Sequence, residues 1–200
     1  MGLRLQYQPG QTPLDEEECE GLKIKTITTQ RELNEFEQHN LEHALIWLKR
    51  QRLTTEKILT ESFILQLHLK MYGEVWKWAG KYRNSEKNLG IPHHLIPLEL
   101  RKLLDDFRYW MTHHTFTPDE MALRFKHRLV SIHCFSNGNG RHSRLMADII
   151  IERIFGLPAF TWGHSHSHLS ADNTARTQYL QALRRADQHD YTALMAFARS

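Results

Sequence analysis

The stretch His133-Cys134-Phe135-Ser136-Asn137-Gly138-Asn139-Gly140-Arg141-His142-Ser143-Arg144 decides how this chain is read. Helical apolar periodicity precedes it, up to about Ile132, and resumes from Arg141 to Phe155, so a glycine-rich interruption joins two predicted helices. Gly138 and Gly140 permit φ > 0, which lets consecutive backbone N–H groups converge into an anion-binding nest. The second helix aims its positive dipole end and its unpaired amides at the same spot. Arg141 and Arg144 share a face of that helix, and their guanidinium forks suit phosphate oxygens. Ser136, Asn137, Gly138, Asn139 and Gly140 with the two arginines therefore form a candidate polyphosphate cradle. His133 stands just before it, where an imidazole of ordinary pKa near 6.5 could take the proton of an incoming hydroxyl. Each piece alone would also suit an ordinary inter-helix turn with a solvated face; the unbroken string is the specific signal.

Outward from this loop the pattern stays helical. On the N-terminal side Thr117-Pro118-Asp119-Glu120 reads as a helix start, with Thr117 as cap, Pro118 at the first helical position and Glu120 closing a capping box. Before it, helices are predicted from a cap at Thr28 or Thr29, from Thr55 to Tyr72, and from Leu98 to about His113. Between Lys81 and Pro97 the residues Gly90, Pro92 and Pro97 break helices, and Leu89, Ile91, Leu95 and Ile96 suggest a small β-hairpin. On the C-terminal side helices are expected from Asn173 to about Asp187 and from Tyr191 to Ala198. Residues 1–27, with Gly10, Pro13 and an acidic cluster, read as an N-terminal arm, and 28–200 as one domain. The fold class is thus all-α with a small hairpin.

The bulk properties narrow the function. Two hundred residues with 40% hydrophobic and 24% charged side chains can bury a core, and a net charge of +3 with interspersed signs does not call for nucleic acid. No apolar run is long enough to cross a bilayer and no export signal is evident, which reads as a cytoplasmic protein. Cys19 and Cys134 are far apart in sequence and read as reduced thiols, with Cys134 a small buried residue rather than a nucleophile. The tryptophans read as core. His164-Ser165-His166-Ser167-His168 and His93-His94 have spacings that could engage Zn²⁺ or Ni²⁺, but with no Cys or acid close in sequence they read as polar loops.

The string from His133 to Arg144 resembles the signature of the Fic family, His-Pro-Phe-x-(Asp/Glu)-Gly-Asn-Gly-Arg-x-x-Arg, matching it at His133, Phe135, Gly138, Asn139, Gly140, Arg141 and Arg144. Cys134 and Asn137 depart from it, standing where the family has Pro and an acid. Trp78-Ala79-Gly80-Lys81-Tyr82-Arg83 with Asn88-Leu89-Gly90-Ile91 is similar to the family's segment leading into its target-docking flap, and Tyr179 to Leu183 with Asp187, Asp190 and Tyr191 to its closing helices. The layout resembles the subgroup called mobile mystery protein B.

The resemblance implies an all-α Fic bundle and transfer of AMP from ATP to a Ser, Thr or Tyr hydroxyl of a target protein. His133 would be the base, Phe135 the core anchor of the loop, Gly138 to Gly140 the anion hole, Arg141 the holder of the β-phosphate and Arg144 of the γ-phosphate. The family's acid ligates Mg²⁺; Asn137 offers a neutral amide oxygen instead, a weaker ligand for a hard cation. An inhibitory glutamate is expected on the helix from Thr29: Glu37, as a partner for Arg144, or Glu32. Asn88, Leu89, Gly90 and Ile91 would dock an extended target segment by strand addition. Alternatives on the same scaffold are phosphotransfer, removal of AMP, or a nucleotide-binding interaction module, with a helix-turn-helix protein or a second copy as partner.

Overall fold

The computed structural model describes residues 13–163 and 173–200. Among them the chain is mainly helical, and an isolated antiparallel bridge joins Leu22 and Trp76. The expected hairpin between Lys81 and Pro97 does not form. That segment runs as turns into a single 3-10 turn, His93–Leu95. Its carbonyls bond the Arg83 side chain instead of a partner strand, Gly90 takes φ +102°, and Pro92 has no N–H to give a ladder.

The elements fall into two compact units, one running through Arg101 and including Val130–His142, the other comprising Lys102–Leu129 and Ser143–Ser200. In the first unit α1 (Glu16–Glu20) lies inside the segment expected to be an arm. It is closed by a reciprocal capping box between Asp15 and Glu18. The chain after it is pinned by backbone bonds from Lys23 N to Val75 O and from Lys77 N to Gly21 O. Next comes α2 (Gln30–Lys49), which begins where the sequence predicts, with Thr29 as cap and Glu32 completing a capping box. The helix expected over Thr55 to Tyr72 is broken into α3 (Thr55–Ile58) and α4 (Glu61–Tyr72), because Thr60 turns out of the helix to cap Phe63 N. α2 packs along α4 through Leu33, Ala44 and Leu48 on one side and Ile64, Leu67 and Met71 on the other, all buried. Burial of each such large side chain contributes roughly 1.5–3 kcal/mol, which is what holds an otherwise marginal helix in place.

α5 (Ile96–His113), α6 (Pro118–Ile132) and α7 (Asn139–Arg153) each pass from one unit to the other along the chain. α6 starts as expected, with Thr117 Oγ1 accepting from Glu120 N at 3.3 Å, but the Glu120 carboxylate turns to Arg124 rather than closing the box. In the second unit α8 (Asn173–Ala186) packs on α9 (Thr192–Arg199), and Arg199 grips Asp119 at the start of α6 with two bonds of 2.8 and 2.5 Å. Phe107, Phe125, Ile150, Ile151, Phe160 and Trp162 are fully enclosed there. Of the tryptophans read as core, Trp76 and Trp162 are buried and Trp47, Trp78 and Trp110 are partly exposed. No helix among the described residues is long and apolar enough to cross a membrane.

Candidate active site

The loop between α6 and α7 is locked from inside by Asn139. Its Oδ1 accepts from Phe135 N at 3.0 Å and its Nδ2 donates to Phe135 O at 2.7 Å, a reciprocal amide clamp that folds residues 135–139 into a tight turn. The Asn139 side chain is thereby spent on the backbone. Below the turn His68 of α4 stacks on Phe135, ring centroids 3.6 Å apart. Its Nδ1 accepts from Gly80 N at 3.0 Å, so its Nε2 carries the proton and donates to Asn137 O at 3.1 Å. Burial and the neighbouring His142 hold His68 well below the ordinary histidine range, in keeping with this neutral tautomer. His142 donates likewise to Ile64 O at 3.0 Å and is pushed down by burial to about 4.

Gly138 sits at φ +78°, and a Cβ there would come within 2.5 Å of the Tyr72 ring. Only glycine fits both the backbone angle and the space. Its carbonyl accepts the first bond of α7, from His142 N at 2.9 Å, so the free amides of that helix start at Asn139 as the sequence implies. Arg141, in the first turn, lies 5.1 Å over the Tyr72 ring. Its guanidinium is engaged: NH2 donates to Glu37 Oε2 at 2.5 Å, while Glu37 Oε1 accepts from Trp76 Nε1 at 2.8 Å. Glu37 is thus the glutamate that reaches the motif, but its carboxylate is taken up by Arg141 and Trp76, not by the expected Arg144, because position 37 lies over the first turn of α7. Glu32, the other inhibitory candidate, is half-buried and uses its carboxylate to accept from Thr28 N and Thr29 N at 2.9 and 3.0 Å. It is a capping residue.

His133 is buried and adopts φ +58°, a left-handed conformation that a non-glycine residue enters at a cost of about 1 kcal/mol or more. What holds it there is Arg83, a residue that the sequence reading did not single out. Arg83 Nε donates to His133 O at 2.7 Å, its backbone N to Cys134 O at 3.0 Å, NH1 to Ser85 O at 2.8 Å and NH2 to Ile91 O. Burial, and after it the Arg83 charge, push the His133 imidazole down to about 4. It is a neutral group across the physiological range. Cys134 is fully buried and its thiol is pushed up to about 12 by burial, so it is an inert packing residue.

The same arginine brings the flap to the histidine. A Cβ on Gly90 would lie 2.5 Å from His133 Cβ and 2.9 Å from Arg83 NH2. Of the expected docking stretch, Gly90 and Ile91 are therefore placed beside His133, while Asn88 and Leu89 are surface residues. The sequence signal for Arg83 was available: it closes the string Trp78 to Arg83.

Arg144 falls in the second unit, 5.5 Å from the Tyr179 ring, with the fully buried Lys126 ammonium 4.5 Å from the same ring. Burial alone would raise the Tyr179 phenol, but Lys126 and Arg144 beside it hold it below its ordinary value. Further along α7, Asp148 accepts from Trp162 Nε1 at 3.0 Å and Phe160 N at 3.3 Å, and burial raises its carboxyl to about 7.

Asn137 does not suit the metal that the family resemblance implies. Its Oδ1 is neutral and already accepts from Gly138 N at 2.6 Å, leaving no carboxylate at the position from which Mg²⁺ would be held.

The loop thus combines a glycine turn at a helix N-terminus with a buried histidine before it and an arginine in the first helical turn. Residues 58–151 match the Fic/DOC family. It is similar to protein adenylyltransferase Fic of Aedes aegypti, 27% identical over 169 residues that cover 80% of this chain and 32% of that protein. The namesake of Nematostella vectensis is 27% identical over 117 residues, 56% of this chain and 27% of that one. The chain spans about a third of the length of the curated relatives it matches. Among solved structures, Fic-1 of C. elegans superposes with a TM-score of 0.64 at 24% identity, over 90% of this chain and 50% of that one. BepC of Bartonella tribocorum with bound AMPPNP gives 0.63 at 14%, over 92% and 97%. These likenesses show the fold.

Proposed function

We propose that the protein transfers AMP from ATP to a Ser, Thr or Tyr hydroxyl of another protein. The observation that carries this reading is the turn from His133 to Arg141, which holds within nine consecutive residues a neutral buried imidazole, the glycine turn, the amide end of α7 and a guanidinium. The relatives named protein adenylyltransferase Fic, and the neighbour with bound AMPPNP, support it. In this reading the target hydroxyl oxygen forms a bond to the α-phosphorus, the bond from that phosphorus to the bridging oxygen breaks, pyrophosphate leaves, and His133 takes the hydroxyl proton. The amides from Gly138 to Gly140 and Arg141 stabilise charge on the phosphates, and Arg144, three residues on, is assigned to the γ-phosphate by its place in the string. The flap around Gly90 would present the target beside His133.

Two features qualify the site. Glu37 already occupies the Arg141 fork, so a bound nucleotide must displace it; Glu37 is an inhibitory residue in this proposal. The Mg²⁺ that accompanies ATP would be held by the phosphates rather than by Asn137. A cytoplasmic location, a helix-turn-helix partner, a homodimer and kinship with the mobile mystery protein B subgroup belong to the same proposal and rest on the sequence alone.

The test uses the purified protein and a His133→Ala variant with α-labelled and, separately, γ-labelled ATP. Label from the α-position appearing on protein, dependent on His133, supports AMP transfer. Label from the γ-position would replace it with phosphotransfer. Nucleotide binding with neither transfer, also in a Glu37→Gly variant, would leave an interaction module.

A further inference from the structure

The flap carries a cluster that the nucleotide-transfer reading does not use. One side-chain oxygen of Glu86 and one ring nitrogen each of His93 and His94 lie within 4.8 Å of one another. Two imidazoles and a carboxylate are the donor set of many three-ligand zinc sites, in which water completes the tetrahedron. Read in sequence, His93-His94 lacks an acid; the fold supplies one by turning the chain back through Gly90 at φ +102° and Pro92. We propose that Glu86, His93 and His94 bind a divalent transition ion of the zinc class, and that the ion staples the base of the flap.

The local geometry favours this in three ways. Glu86 is already fixed toward the histidines, since its Oε1 accepts from His93 N at 3.1 Å and meets His93 Nδ1 at 2.7 Å. The adjacent rings stand nearly perpendicular, 88° apart with centroids 5.7 Å apart, so their nitrogens can approach one point from different directions. Ligands at about 2.0–2.1 Å from zinc are about 3.3 Å apart in a tetrahedron, so the cluster needs to close by about 1.5 Å, within the reach of exposed side-chain rotations. Glu86 and His94 are exposed and His93 is half-buried, so a hydrated ion has access. The site also sits where a staple has effect. Arg83 ties Ser85 O and Ile91 O on the two limbs of this loop to His133 O, and its NH1 is 3.7 Å from Glu86. An ion bridging position 86 to positions 93 and 94 would close the remaining side of that loop.

The experiment titrates tag-free full-length protein with Zn²⁺ by calorimetry and with Co²⁺ by visible absorption, alongside three variants: Glu86→Gln, His94→Ala, and a control with His164, His166 and His168 all changed to Ser. These positions leave His133, Arg141 and Arg83 untouched, and circular dichroism checks that each variant folds. The expected result is one ion per chain, a tetrahedral Co²⁺ spectrum, slower amide exchange over residues 86–94 on adding Zn²⁺, and affinity reduced by about tenfold or more in Glu86→Gln and His94→Ala but kept in the control. The proposal is overturned if the control abolishes binding, if both flap variants bind as the unaltered protein does, or if no stoichiometric binding occurs at micromolar Zn²⁺. None of these readouts depends on the transferase reading.

Discussion

Glu37 and Arg141 are joined by a 2.5 Å ion pair that places a carboxylate where the loop otherwise offers a guanidinium to phosphate. Glu37 is almost enclosed while the Arg141 side chain keeps 36% of its exposure, so the pair is open on the arginine side only. A phosphate can therefore approach Arg141 but must compete with Glu37 for its donors.

Replacing Glu37 should accordingly raise nucleotide binding and label transfer. Glu37→Gln keeps an acceptor for Trp76 Nε1 while removing the charge, and should increase transfer by about tenfold, the value of a coupling near 1.4 kcal/mol. Glu37→Gly should do the same at a larger stability cost, about 1–2 kcal/mol, between the values for exposed and buried pairs. Transfer measured with α-labelled ATP and urea midpoints on both variants check this. Equal transfer in all three proteins would remove Glu37 from regulation.

Arg83 should behave as a positioning residue. Its guanidinium is fully enclosed and serves three carbonyls, on His133, Ser85 and Ile91, which a single lysine ammonium cannot span in a plane. Arg83→Lys should therefore lower transfer by about a hundredfold with little change in ATP affinity, because the phosphate loop is clamped separately by Asn139. Arg83→Gln, which removes the charge that Arg83→Lys keeps, should also let the His133 imidazole rise, moving the acid limb of the pH profile upward. Loss of ATP binding in the same variant would instead mark a global role.

The contrast between these residues shows what the sequence could reveal. Helix starts were legible at Thr29 and Thr117, where a hydroxyl precedes the first turn, and the loop was legible because its glycines and arginines are consecutive. Arg83 closes a recognisable string, but its role was not legible, since that lies in carbonyls up to 50 residues away. Nor was the loss of the hairpin: alternating apolar residues favour strand only if nothing else takes their carbonyls, and the Arg83 side chain does so. Glu37 was found by its place on α2, yet which arginine it meets depends on helix packing rather than on spacing. Glu86 beside His93 and His94 needed the chain reversal at Gly90.

Acid should destabilise the first unit in a defined window. His68, His133 and His142 are all held below their unfolded value near 6.5, the last two at about 4, so each binds its proton more readily in the unfolded chain. The unfolded state thus carries more protons between these values, and stability present above pH 6.5 falls as pH drops toward 4. Asp148 in the second unit works in the opposite sense: raised to about 7, it favours the folded state below the unfolded value near 3.8 and loses that contribution as pH rises through 7. Urea midpoints across pH 4–8 should pass through a maximum. Asp148→Asn should steepen the acid side, where the Asp148 contribution opposes that of the histidines, and flatten the decline near pH 7; an unaltered profile would show that Asp148 is ionised in both states.

In the proposed reaction Asn137 would set how the site responds to magnesium. With its Oδ1 on Gly138 N, the residue gives the loop a turn-stabilising acceptor but no charge for a hard cation. ATP binding by this protein should therefore depend little on Mg²⁺ beyond the metal's own complex with the phosphates, and chelation should weaken it by less than about threefold, under 0.7 kcal/mol. Asn137→Asp preserves the size and the acceptor and adds the carboxylate. It should make binding and transfer Mg²⁺-dependent by about tenfold or more, since a carboxylate is the stronger oxygen ligand. Calorimetry of ATP binding with Mg²⁺ and with EDTA, on both proteins, decides the matter. A strong Mg²⁺ dependence in the unaltered protein would mean that the amide oxygen leaves Gly138 to ligate the ion. If Asn137→Asp gains nothing, the cation approaches the phosphates from another side of the loop.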